Sequence, residues 1–175
     1  MGRRATGVAA LTWGARGPAL LALAAAVILG SAVASEVWGG LSPCRLCLTQ
    51  RIPYAFAIVA GLIATMAVVG GVNRRLAALL TFLCTVAFVL GAAVAAYHVG
   101  VEQGWWQGSL SCTGVPAGAA ATPDELRRLL EAAPVVRCNE VQWSLLGISM
   151  AGYNFLASLA LAAFAAASAR TLVKP

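Results

Sequence analysis

The chain is built of long apolar runs separated by short polar joints, and that pattern predicts its elements. Four runs are long enough to cross a bilayer, which takes about 20 apolar residues. They fall at 17–38, 44–71, 76–99 and 145–169. A backbone in lipid must satisfy its own hydrogen bonds, so each run is expected to be a helix. Two larger joints, at 39–51 and 100–144, are expected to lie on one side of the membrane. Within the second, "TPDELRRLLEAAP" (Thr122 to Pro134) reads as a short helix. Thr122 would cap it, Pro123 would take the first position, and Glu125 would complete a capping box. The predicted fold is an all-α membrane protein: a bundle of four transmembrane helices, with a short extra helix in the second outer loop.

Composition strengthens this picture. The chain is 61% hydrophobic and 10% charged, where ordinary globular domains carry about a quarter charged residues. The net charge of +6 does not imply nucleic acid, because the basic residues sit in small clusters between apolar runs. Arg3, Arg4, Arg16, Arg74, Arg75, Arg170 and Lys174 fall on one side; Arg45, Arg51, Arg127, Arg128 and Arg137 fall on the other. The first group lies on short flanks, where basic charge orients a chain. Both termini are therefore expected to be cytoplasmic. A rival reading of the first run is a cleaved signal peptide, with "AVAS" (Ala32 to Ser35) as its processing site. The long basic region and long apolar run favour a retained span. Trp38, Trp105, Trp106 and Trp143 lie near outer helix ends, where tryptophan anchors at the headgroups. Gly91/Ala95 and Gly147/Ala151 have the small-xxx-small spacing that lets helices approach closely.

Chemistry enters with the cysteines. Cys84 lies within the third run and reads as a packing residue. Cys44 and Cys47 fall in the first outer loop, Cys112 and Cys138 in the second. Two structural disulfides would be ordinary in an oxidising compartment. A bridge across two residues removes little chain entropy, however, so Cys44–Cys47 is better read as a bond that opens and closes. Ser42 and Pro43 make an acceptable helix start, which would put both cysteines in the first turn, where thiolates are stabilised. Arg51 follows Cys47 by four residues and would share its face on a continuous helix. Its charge would lower a thiol pKa. Pro53 complicates this, because a helix starting at Ser42 contains it. A four-cysteine zinc site is a weaker reading, since only one cysteine pair is closely spaced and the sole histidine, His98, lies near the third span. A dithiol at the membrane surface can instead pass two electrons to a lipid-soluble quinone.

The stretches "CRLCLTQR" (Cys44 to Arg51), "YHVGVEQGWW" (Tyr97 to Trp106) and "WSLLGISMAGYN" (Trp143 to Asn154), together with Cys112 and Cys138, resemble the disulfide bond formation protein B (DsbB) family of bacterial inner-membrane proteins. The resemblance covers nearly the whole chain. It implies a protein-disulfide:quinone oxidoreductase that reoxidises a periplasmic thioredoxin-fold thiol oxidase and delivers electrons to ubiquinone or menaquinone. It also implies roles. Cys112 would be attacked by the partner thiolate, Cys138 would exchange with Cys44, and Cys47 would meet the quinone. Arg51 and His98 would support quinone binding. No metal is implied. Competing readings are a non-catalytic scaffold with structural disulfides, a quinone reductase similar to vitamin K epoxide reductase, and a metal-binding membrane protein. Flexibility in "TGVPAGAAATP" (Thr113 to Pro123) would help a partner reach Cys112 and help Cys138 move towards Cys44.

Overall fold

A computed structural model describes residues 2–108, 112, 122–124, 127–128 and 136–173, with side chains from residue 15 onward. Its helices are α1 (Gly2–Val37), α2 (Arg45–Val69), α3 (Arg74–Glu102) and α4 (Met150–Val173). Each contains a stretch long and apolar enough to cross a membrane. The protein is a multi-pass, all-α membrane protein, as the apolar runs predict.

The helix boundaries differ from those predicted, and for the second and fourth helices the cause is local. The first helix is longer than its apolar run and extends back to Gly2. The second helix begins at Arg45, with Cys44 as its N-cap rather than Ser42. Cys44 is extended (φ −75°, ψ 172°), and its sulfur accepts the Cys47 N–H at 3.3 Å, the capping bond expected of a Ser42 hydroxyl. The fourth helix begins at Met150, because the residues before it form an antiparallel hairpin of β1 (Ser144–Leu145) and β2 (Ile148–Ser149). Leu146 and Gly147 both have positive φ, 52° and 78°, as a tight two-residue hairpin turn requires. Gly147 is therefore a turn residue, and the Gly147/Ala151 pair is not a helix-packing motif. Of the short helix expected over 122–134, Pro123, Asp124, Arg127 and Arg128 are helical. Leu126, Leu129 and Leu130 of that stretch lie outside the described residues, as does most of the 113–123 run.

Neighbouring helices pack α1 on α2, α2 on α3 and α3 on α4, and α1 also touches α4. Small residues allow this. A Cβ on Gly91 would lie 3.0 Å from Pro53 Cγ and 3.7 Å from Ser158 Oγ, so α3 meets both α2 and α4 at that point. Pro53 lies inside α2, which continues to Val69. The central core joins all four helices through Leu21, Ala25, Tyr54, Ala57, Cys84, Phe88 and Leu161. Leu21 and Ala25 are fully buried there, so removing α1 would strip one wall from the core. A second cluster, of Ala15, Ala64, Val68, Ala77, Ala78 and Leu172, closes the end nearer the α2–α3 turn.

Trp38, Trp105, Trp106 and Trp143 are exposed near the opposite end. Trp106 also folds back on α3, stacking on Tyr97 with centroids 5.9 Å apart and donating to the Tyr97 carbonyl at 2.9 Å. That end carries the polar chemistry.

A chain of sulfurs beside a largely apolar cavity

Cys44, Cys112 and Cys138 are buried together with Val101, and Leu46, Cys47 and Val136 pack around them. The joints at 39–51 and 100–144, distant in sequence, are thereby brought together. The Cys138 N–H donates to the Cys112 carbonyl at 3.1 Å. Cys138 Sγ lies within 4.8 Å of Cys44 Sγ, and Cys112 packs against the same buried cluster. The Cys44 thiol donates to Cys47 Sγ at 3.1 Å. The sulfurs thus follow the order Cys112, Cys138, Cys44, Cys47. Cys84 is remote from this group, in the apolar core.

The environment keeps the middle of this chain protonated when reduced. The hydrogen bond to Cys47 pushes the Cys44 thiol up to about 12, with burial adding to the effect. Cys138 is raised above the ordinary thiol range, first by burial and then by its bond to Cys112. Both favour the neutral form, because a buried charge without compensation is costly.

His98 stands beside the sulfurs. Its Nε2 lies 3.6 Å from Cys44 Sγ and 3.9 Å from Glu102 Oε1. Glu102 also accepts a hydrogen bond from Ser149 Oγ on β2. The other ring nitrogen, Nδ1, meets Gln50 Nε2 at 2.8 Å. Gln50 Oε1 accepts from Asn154 Nδ2, and Asn154 Oδ1 accepts from the Tyr54 hydroxyl. Tyr54 also contacts Ser158 Oγ at 3.2 Å. The donor atoms of Cys44, Cys138 and His98 all lie within 4.8 Å of one another. Such a trio suits a soft metal ion, but a disulfide at either cysteine would consume a ligand.

Arg51 is on the same side of α2 as Cys47, and both line the adjoining cavities. Its Nη1 donates to Glu36 Oε2 at 2.7 Å. This ion pair offsets the charge that the sequence assigned to thiolate stabilisation. The guanidinium is held at a cavity wall instead.

That cavity has a volume of about 620 Å³. Its apolar lining includes Ile28, Leu29, Leu145 and Met150, while Cys47, Gln50, Arg51, Tyr54, His98 and Asn154 supply sulfur and polar groups. A flat, lipid-soluble molecule with carbonyl oxygens fits this lining, since donors occupy one region and the remaining wall is apolar. A smaller space of about 50 Å³ lies among Pro43, Cys44, Arg137 and Glu140.

Cys44, Cys47, Cys112, Cys138, Arg51 and His98, the residues marked in the sequence, therefore fall in one region. Glu36, Gln50, Tyr54, Glu102 and Asn154 join them without having been assigned chemistry. The i,i+4 spacing of His98 and Glu102 was an available signal. Nothing local marked Tyr54 or Asn154, whose pairing depends on α2 and α4 packing together.

The fold and site define a membrane protein whose cysteines are arranged for thiol–disulfide chemistry. The family model described as "Disulfide bond formation protein DsbB" matches residues 15–168. The chain belongs to this family of disulfide bond formation proteins. Relatives called disulfide bond formation protein B occur in Saccharophagus degradans (34% identical, covering 78% of this chain and 81% of that protein) and Hahella chejuensis (32%, 77% and 81%). A third, from Xylella fastidiosa, is 31% identical over 87% of this chain and 88% of its own. No solved structure gives a significant match.

Proposed function

We propose that the protein reoxidises a dithiol oxidase of thioredoxin fold and passes the two electrons to a membrane quinone. The observation carrying this reading is the sulfur order Cys112–Cys138–Cys44–Cys47, which ends beside the largely apolar cavity. The starting state has disulfides Cys112–Cys138 and Cys44–Cys47. A partner thiolate attacks Cys112, forming a mixed disulfide and releasing Cys138 as thiolate. Cys138 attacks Cys44, which breaks the Cys44–Cys47 bond and releases Cys47. The second partner thiolate closes the partner's own disulfide and frees Cys112. Cys112 then attacks Cys138, restoring their bond and releasing Cys44. The net change so far is one partner disulfide formed and the Cys44/Cys47 pair reduced.

A quinone, as co-substrate, takes up two electrons and two protons as the Cys44–Cys47 disulfide re-forms. Arg51, held by Glu36, and the Gln50–His98 pair would orient its oxygens, and the apolar wall would receive the rest. The quinone provides the thermodynamic pull: strongly oxidising thioredoxin-fold proteins reach about −120 mV, and each tenfold in equilibrium is about 30 mV for two electrons. The charge pattern supports termini in the cytoplasm and outer loops in the periplasm of a bacterial inner membrane. The buried face of α1 supports its retention as a span.

The test combines purified protein in detergent, a reduced periplasmic thioredoxin-fold oxidase and a soluble ubiquinone analogue, with quinone absorbance as the readout. Catalytic quinone loss that disappears in Cys47→Ser is expected. Absence of turnover, with both substrates shown competent in a known system, would reject the proposed reaction.

A further inference from the structure

The hydrogen bonds behind His98 have a direction. Tyr54 Oη donates to Asn154 Oδ1, which leaves the Asn154 amide NH2 to donate to Gln50 Oε1. Gln50 then presents its own NH2 to His98 Nδ1 at 2.8 Å. An amide NH2 can only donate, so Nδ1 must carry the lone pair. A neutral imidazole then has its proton on Nε2. That nitrogen faces Cys44 Sγ and Glu102 Oε1, and both can accept. Reversing both amides would place a proton on Nδ1. In a neutral ring, the Nε2 lone pair would then confront the Glu102 carboxylate and a sulfur whose own proton is directed at Cys47. Only one direction satisfies both sides of the ring.

We propose that Tyr54, Asn154 and Gln50 are positioning residues that hold His98 as its Nε2-protonated tautomer and aim that proton at Cys44 Sγ. The chain draws on three helices: Gln50 and Tyr54 from α2, His98 from α3 and Asn154 from α4. Tyr54 and His98 are each 3% exposed and Gln50 6%, while Asn154 is half-buried at the cavity wall. A donor or acceptor left unmatched there costs more than at the surface. The functional consequence rests on the redox reading above. Whenever exchange leaves negative charge on the Cys44 sulfur, the Nε2 proton is already in place to hydrogen-bond it. No rotation of the ring is needed.

His98 is the sole histidine, which permits a direct test. Protein labelled with 15N-histidine, reduced and held in detergent micelles, should show Nδ1 as an unprotonated, hydrogen-bonded nitrogen and Nε2 as a protonated one. Gln50→Glu substitutes an acceptor of nearly the same shape and should move a proton onto Nδ1. Asn154→Leu should raise the minor tautomer about three- to tenfold, the weight of one ordinary hydrogen bond. Tyr54→Phe removes only the terminal hydroxyl and should shift the balance the same way by less. A protonated Nδ1 with bare Nε2 in the parent protein would overturn the proposal. So would resonances unchanged in both Gln50→Glu and Asn154→Leu. The readout needs no quinone or partner, so it is independent of the turnover assay.

Discussion

Cys44 and Cys84 are both buried, yet they occupy chemically different regions. Cys84 is fully buried among Leu21, Phe88 and Leu161 and other members of the central core. Cys44 is 4% exposed, but its sulfur meets Cys47, His98 and Cys138. Burial therefore does not distinguish a cysteine set among other sulfurs from one packed among hydrocarbon. The difference lies in whether other sulfurs and proton carriers reach it, which requires two loops and three helices to converge. The most severe way to break the comparison is substitution. Cys44→Ser or Cys47→Ser should abolish quinone-coupled thiol oxidation, while Cys84→Ala should retain it and lose about 1 kcal/mol of stability, within the usual range for a small core truncation. Loss of turnover in Cys84→Ala with its fold intact would erase the division.

The same contrast has a pH signature. In the reduced protein the Cys44 thiol is pushed up to about 12, first by donating to Cys47 and then by burial. Its alkylation should be slow near neutrality and rise about tenfold per pH unit, since the thiolate is the nucleophile. The rise should continue towards pH 12 rather than level off near the ordinary value of 9.0. Because the folded-state pKa is raised, the associated stability is present below pH 9 and falls as pH rises towards 12. Cys47→Ala removes the leading cause and should speed Cys44 alkylation at pH 8. Mass spectrometry of the labelled cysteine reports both effects. A plateau near pH 9 in the parent would show that Cys47 exerts no such hold.

A smaller effect is expected one helical turn farther along. Arg51→Gln keeps a polar side chain but loses the ion pair with Glu36 and the charge at the cavity wall. Hydrogen bonds involving charged groups contribute about 1.5–3 kcal/mol, so quinone KM should rise by about ten- to a hundredfold. Exchange of the partner disulfide in a single turnover should persist. Equal loss in that quinone-independent step would place Arg51 in the sulfur chemistry instead.

These two regions were unequally legible in the sequence. The four helices followed from apolar length, which needs no tertiary information. Cys84 was legible as a packing residue because it lies in the middle of a long uncharged run. The outer site was legible as a set of residue types, through the Cys44–Cys47 spacing and the resemblance built on it. Its internal wiring was not. Cys44 as the helix cap depends on backbone angles around Pro43, and the Glu36–Arg51 pair depends on how α1 and α2 pack. The hairpin at 144–149 was hidden because its apolar residues merge with those of α4. Gln50 and Glu102 were close to recognised residues, but Tyr54 and Asn154 became meaningful only when α2 and α4 met.

Gly91 tests whether the packing region and the chemical region can be separated. It lies where α3 meets Pro53 and Ser158, with the Tyr54 hydroxyl bonded to the same Ser158. An added Cβ would approach Pro53 Cγ to 3.0 Å, closer than ordinary van der Waals contact, and a valine would add two more methyl groups. Proline's ring offers little room to yield. Gly91→Val should therefore cost about 1–3 kcal/mol, the range for overpacking a tight core. Thermal unfolding in detergent would register this as a lower midpoint. Because the sulfur chain is built from the outer loops and the first turn of α2, exchange among Cys112, Cys138, Cys44 and Cys47 should survive below that midpoint. A variant equally stable but unable to exchange would mean that the helix crossing at Gly91 sets the sulfur geometry, and that the two regions act as one.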